Sequence, residues 1–121
     1  MNLRCTWALL VLCAGPAAAQ PYSQSMAECA AFFSSWRSSI QREENLENLE
    51  IAENRWLSAA YAQAQAEGVE KPQAYTADIF VAKRDEWIEK GGMAALTQDF
   101  KDWAAYCRSF GRDRGIDYDF D

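Results

Sequence analysis

The chain has no histidine. That one absence removes Ser-His-Asp and Cys-His nucleophilic catalysis, and it removes a histidine general base. A di-iron bundle site built on Glu-x-x-His is excluded as well. Cysteine is scarce: Cys5, Cys13, Cys29 and Cys107 are the only four. Two of them fall in the N-terminal apolar stretch, and the remaining pair makes a poor tetrahedral zinc set without histidine. Positive charge is in short supply, with 12 Lys and Arg against 18 Asp and Glu, a formal net charge of −6. Nucleic acid and anionic lipid call for basic patches, so neither is an expected partner. Nor does any apolar run reach the roughly 20 residues of a membrane span.

What is present begins with MNLRCTWALLVLCAGPAAAQ. Arg4 forms a short basic region, Cys5 to Cys13 an apolar core, and Ala17-Ala18-Ala19 a small-residue site ahead of Gln20. This is the layout of a secretory signal peptide, expected over residues 1–19. Lipid attachment at Cys13 does not fit, because bulky Leu12 precedes it and the alanine site follows it. Cleavage leaves about 100 residues, the size of one domain. It also removes Arg4 and makes the remaining chain one charge more negative. The expected location is outside the cytoplasm, most simply a bacterial periplasm, with no membrane insertion after cleavage. In an oxidising compartment Cys29 and Cys107 most simply join as one disulfide, the alternatives being free thiols or a bridge between chains.

Helical periodicity organises the rest. Ser25-Met26-Ala27-Glu28 fits a capping box, and Met26, Cys29, Phe33, Trp36 and Ile40 follow as one apolar stripe, widened by Phe32. Glu47 falls out of phase with that stripe, which places a break between Gln41 and Asn48, with Asn45 or Asn48 as the next cap. Leu49, Trp56, Leu57, Ala60 and Ala64 share a face of a second helix that Gly68 ends. Pro72 reads as loop and Thr76 as the cap of a third helix, with Ile79, Phe80, Trp87 and Ile88 on its apolar side and Glu86–Lys90 as a favourable pair. Gly91-Gly92 stops it. Met93, Leu96, Phe100, Trp103, Cys107 and Phe110 give the fourth helix, with Gly111 as terminator. Each helix thereby carries one tryptophan, read as core and rim packing.

The expected fold is all-α: a four-helix up-down-up-down bundle over residues 20–115, stapled by one disulfide between first and last helices. That topology brings Cys29 and Cys107 to the same end of the bundle, each on its own helix's apolar stripe. The chain-entropy model assigns a loop of this length about 4.5 kcal/mol.

Candidate sites are few. Glu43, Glu44, Glu47, Glu50 and Glu53 rotate around their helix and read as a solvated face rather than a cation site. Glu28, Glu86, Asp99 and Asp102 are the acids open to a carboxylate-pair hydrolase. The tail 116–121 alternates apolar and acidic residues, making Asp117, Tyr118, Asp119 and Phe120 candidate partner-binding residues through strand addition; the alternatives are a loose terminus or aromatics folded back on the bundle. Arg108, Arg112 and Arg114 are expected to offset the last helix dipole and pair with Asp113 and Asp117.

The segments AECAAFFSSW and WAAYC together resemble a set of small secreted bacterial two-cysteine helical proteins. That resemblance implies a stapled helical domain and no activity. The layout is also similar to small periplasmic acid-stress chaperones with one disulfide, though the residues around the cysteines differ from theirs. The functional expectation is a non-enzymatic exported binding or accessory protein, inhibitor- or chaperone-like, that needs no cofactor and acts on another exported protein. The alternatives are a small Asp/Glu-dependent hydrolase and an apolar-ligand carrier between the tryptophans.

Overall fold

Two prolines, rather than the hydroxyl residues that follow them, open two of the four helices. The computed structural model describes residues 20–39, 43–116 and 118, without the side chain of Glu44. Residues 1–19, expected from the sequence to be a signal peptide, Ile40 to Arg42, and Asp117, Asp119 and Phe120 lie outside the described residues. The elements run α1 (Tyr22–Ser39), α2 (Glu43–Ala66), α3 (Pro72–Glu89), a single 3-10 turn at Ala94–Leu96, and α4 (Gln98–Arg114).

At the start of α1 the Pro21 carbonyl accepts from the backbone N–H of Gln24 and Ser25. Ser25 is therefore already inside the helix, and no capping box forms. Its hydroxyl and Glu28 instead accept from the Gln20 side-chain amide at 3.0 and 3.1 Å. Pro72 stands at the first helical position of α3, where its missing N–H costs nothing, so Thr76 is a buried interior residue and not a cap. Asn45 and Asn48 likewise fall inside α2, which opens at Glu43. The fourth helix starts later than its apolar period suggests. Thr97 adopts extended geometry and its hydroxyl accepts from the Phe100 N–H at 3.2 Å, a true N-cap. Met93 and Leu96 are left in the connection, each 70% exposed.

Helix ends follow glycine. Gly68 takes φ +78, and the Val69 N–H reaches back to the Ala64 carbonyl. Gly115 takes φ +69, and the Ile116 N–H reaches back to the Gly111 carbonyl at 2.8 Å. Both are Schellman motifs with an apolar residue just beyond the glycine. Gly111 does not terminate α4. It lies inside the helix, where an added Cβ would sit 3.2 Å from the Trp56 ring and 3.3 Å from the Ile116 carbonyl.

The contacts fix the direction of each helix. Along α1 and α4, Tyr22 meets Phe110, Cys29 meets Cys107, and Trp36 meets Phe100, so the two run antiparallel. Ser23 meets Tyr75 and Phe32 meets Trp87, so α1 and α3 run parallel. Arg37 pairs with Glu53 near one end of α1, and Ser23 meets Glu67 near the other, so α2 is antiparallel to α1. This is the up-down-up-down bundle. Its central helix is α1, which packs extensively on α2 and α3 and touches α4 at few points. Accordingly α1 buries residues on several sides, and its covered positions include the small Ser23, Ser25 and Ser34 as well as alanines and phenylalanines.

Phe32 is the hub of the core, fully buried and within 4.7–5.9 Å of the rings of Phe33, Trp36, Trp87 and Phe100. A second cluster joins Trp56, Phe110 and Tyr118. Trp56 and Trp87 are buried, while Trp36 and Trp103 are half-buried. Polar ties close both ends of the α1–α2 seam. Glu53 leaves the solvated acidic face and is buried against Arg37 at 2.8 Å. At the other end Glu67 accepts from the Ser23 hydroxyl and backbone N–H, and the Ser23 oxygen also lies 3.1 Å from the Tyr75 hydroxyl. Glu86 pairs with Lys83 rather than with Lys90, which reaches Asp99 at 2.7 Å.

Cys29 and Cys107 form the disulfide, with Cα atoms 5.7 Å apart across a sequence separation of 78. Both are fully buried. They stand about two turns into α1 and two turns from the end of α4, deeper than the sequence boundaries suggest. Because both helices are longer by a similar amount, the two cysteines still arrive at the same level.

Candidate functional site

The α1–α4 seam holds the candidate site. On α1, Ser25 and Glu28 stand four and one residues before Cys29. On α4, Trp103 and Tyr106 stand four and one residues before Cys107. In a helix, residues three and four apart share a face, so on each helix this pair flanks the cysteine that carries the bridge. Joining the helices through sulfur sets the two pairs on either side of a groove of about 440 Å³, lined also by Gln20, Tyr22, Asp99 and Asp102. Tyr22 and Tyr106 are about half exposed.

Three of the four acids singled out from the sequence, Glu28, Asp99 and Asp102, line this one groove. Glu86 does not; it lies on α3 against Lys83. The three carboxylates differ in what holds them. Glu28 accepts from the side-chain amides of Gln20 and Gln24, each at 3.1 Å. Asp102 accepts from the Gln98 amide at 2.9 Å. Asp99 has a cation, Lys90, at 2.7 Å. Glu28 and Asp102 therefore present negative charge that no basic side chain offsets among the described residues.

The rings of the groove already take cations. The Lys83 ammonium lies 4.5 Å from the Trp103 ring centre, and the Arg114 guanidinium lies 3.7 Å from that of Tyr22. Arg114 is thus spent on an aromatic face rather than on Asp113. Trp103 and Tyr106 meet edge to face at 5.7 Å. Electron-rich faces beside carboxylates attract an ammonium or guanidinium through both charge and ring quadrupole.

The tail residues fare differently. Tyr118 folds back on the bundle, 5.0 Å from the Phe33 ring and 6.3 Å from that of Trp56, and Ile116 packs beside it. Burial pushes the Tyr118 phenol up, opposed by the Trp56 indole and by the Arg108 and Arg112 charges. Its ring is engaged in the core, the folded-back arrangement that the sequence left open beside strand addition. Asp117, Asp119 and Phe120 lie outside the described residues.

For an apolar ligand, the core tryptophans pack ring against ring where they meet, Trp87 on Trp103 at 6.2 Å and Trp36 on Phe100 at 5.2 Å. A hollow of about 270 Å³ does open between the ends of α1 and α3 and the 90–97 connection, lined by Trp36, Trp87, Ile88, Ala94, Ala95 and Phe100 among others. Among the described residues no cluster of three or more Cys, Asp or Glu converges in a way that could hold a metal ion. No helix among them is long and apolar enough to cross a membrane.

Gln20, Tyr22, Ser25, Trp103 and Tyr106 are the groove residues that sequence reading did not assign to a site. The signal for four of them, visible only once the bridge is known, is the matched spacing ahead of the two cysteines together with the aromatic at Tyr22 one further turn back. Compared with known proteins, the chain matches no family model, no curated protein and no solved structure.

Proposed function

We propose that this chain is an exported, non-enzymatic binding protein whose groove over the disulfide takes up a positively charged part of another exported protein. The observation that carries the reading is the pairing of Glu28 and Asp102, neither offset by a basic side chain among the described residues, with the half-exposed rings of Tyr22 and Tyr106 and the half-buried ring of Trp103 in one groove. The overall negative charge supports it too, since an acidic protein steers a basic partner toward itself. Export is proposed from the leader-like residues 1–19, and the buried disulfide fits an oxidising home such as the periplasm.

Titrating the oxidised protein with a short basic peptide at low ionic strength tests the reading. Binding that weakens as salt rises, and that falls in Glu28→Gln, supports it. A protein that binds acidic and basic peptides alike has no such site. For export, the mature protein recovered from the cell envelope should begin at Gln20.

A second reading, a small Asp/Glu-dependent hydrolase, has one observation in its favour: three of its four candidate acids share the groove. Against it stands Glu28, both of whose oxygens are taken by amide donors, whereas a general acid needs a carboxyl proton aimed at a leaving group. Turnover of a glycoside panel that Asp102→Asn abolishes would establish it.

A further inference from the structure

The length of the groove and the offset between its two carboxylates lacking a basic partner say what form the cation takes. We infer that the groove binds an extended basic segment of a protein whose two cationic side chains stand three residues apart, with apolar residues between them. The inference rests on the reading of the groove as a cation site and goes one step past it.

The two walls are antiparallel helices joined at one level by the bridge. At the helical rise per residue, Tyr22 lies about 10 Å to one side of that level and Asp99 about 12 Å to the other. The lining therefore runs for about 20 Å along the seam. A single ammonium ion or free amino acid spans only a fraction of that length. An extended segment, at about 3.1–3.3 Å per residue, covers it with six or seven residues.

Position along the seam then selects a spacing. Glu28 is one residue before Cys29, and Asp102 is five residues before Cys107 on the opposing strand of the seam. Because the helices are antiparallel, these offsets add, to an axial separation of about 9 Å. Side chains two apart on a β-strand repeat at about 7 Å. In polyproline II, residues three apart stand about 9 Å from one another along the segment. The second repeat matches. Tyr106 and Trp103 fall at levels between the two carboxylates, edge to face at 5.7 Å. That is where the two intervening residues would lie, and an aromatic ladder is the surface on which polyproline segments dock. Asp99, already paired with Lys90, stands beyond the pair and is not a reader of spacing.

The test uses the oxidised protein and a set of end-blocked peptides of equal charge, followed by tryptophan fluorescence and by calorimetry. One carries Arg-Pro-Pro-Arg; the others move the two arginines to two or four residues apart. Free arginine amide is the small-cation control. The expected result is about tenfold tighter binding of the three-apart peptide. Glu28→Gln and Asp102→Asn should each cost it about fivefold and erase the spacing preference, while Asp78→Asn, exposed on α3 and outside the groove, leaves that preference intact. Equal affinity for all three spacings, or arginine amide binding as tightly as the peptides, overturns the extended-segment inference and leaves the cation site standing. No binding by any basic peptide at low salt overturns both.

Discussion

The two long seams of α1 are closed in opposite ways. Toward α2, residues Ser23, Ala27, Ala30, Ser34 and Arg37 recur on one face, and its ends are tied by Ser23–Glu67 and Arg37–Glu53. The alanines there, like Ala60 and Ala64 of α2, are fully buried. Small side chains let the helices meet closely. Toward α4, contact is sparse and the bridge holds the helices at one level. Side chains on either side of it are large, polar or half exposed, and a groove remains. A seam that packs itself shut is stable without help and has nothing to offer a ligand. A seam fastened at a point can stay open.

Four tests, the second a pair of substitutions, sharpen this contrast, taken from the largest effect down. Replacing both cysteines, Cys29→Ala with Cys107→Ala, should cost about 4.5 kcal/mol by the chain-entropy model, read from urea denaturation. Hydrogen exchange in that variant should open α4 well before α1 and α2; uniform loss of protection would mean that α4 does not depend on the bridge. Enlarging the closed seam by Ala60→Leu should cost about 1–3 kcal/mol, because a fully buried alanine has no room for the added atoms. Its counterpart in the open seam, Tyr106→Ala, should stay within about 0.5 kcal/mol of the parent.

Third, Gly115→Ala puts a Cβ on a residue at φ +69 and should cost about 1 kcal/mol. The same turn sends Tyr118 back onto Trp56, so tryptophan emission should change with it. Last comes the Glu67 tie. Burial alone would raise its carboxyl, but the Ser23 hydroxyl, the Gln63 amide and the Ser23 backbone N–H outweigh that and hold it below its ordinary 4.5. A lowered folded value means that this tie stabilises the protein above about pH 4.5 and is lost as pH falls through the folded value. Unfolding midpoints measured from pH 6 to 3 should therefore fall less steeply in Glu67→Gln than in the parent.

Helix number, all-α class, topology and the staple were legible in the sequence, because periodicity and glycine carry them. The starts of the helices were not. Ser25-x-x-Glu28 and Thr76 have the chemistry of caps, yet Pro21 and Pro72 begin their helices a turn earlier. Met93 and Leu96 share the period of α4, and only the geometry of Thr97 separates them from it. Glu53 looks like its solvated neighbours until Arg37 of α1 is placed beside it. The groove was hidden for a stronger reason. Neither Ser25-x-x-Glu28 nor Trp103-x-x-Tyr106 is a site alone; each is half of one, and the halves meet only when the bridge sets α1 against α4. For the tail, strand addition and a fold back onto the bundle both stood open in the sequence; the Schellman turn at Gly115-Ile116, whose glycine and following apolar residue were the available signal, carries Tyr118 back onto the core.

The most direct measurement is an amide chemical-shift map of the oxidised protein during titration with the Arg-Pro-Pro-Arg peptide. Shifts confined to the groove walls, at Tyr22, Ser25, Glu28, Asp102, Trp103 and Tyr106, are the predicted result. Shifts centred on α2 and α3, with the α1–α4 seam unmoved, would contradict it.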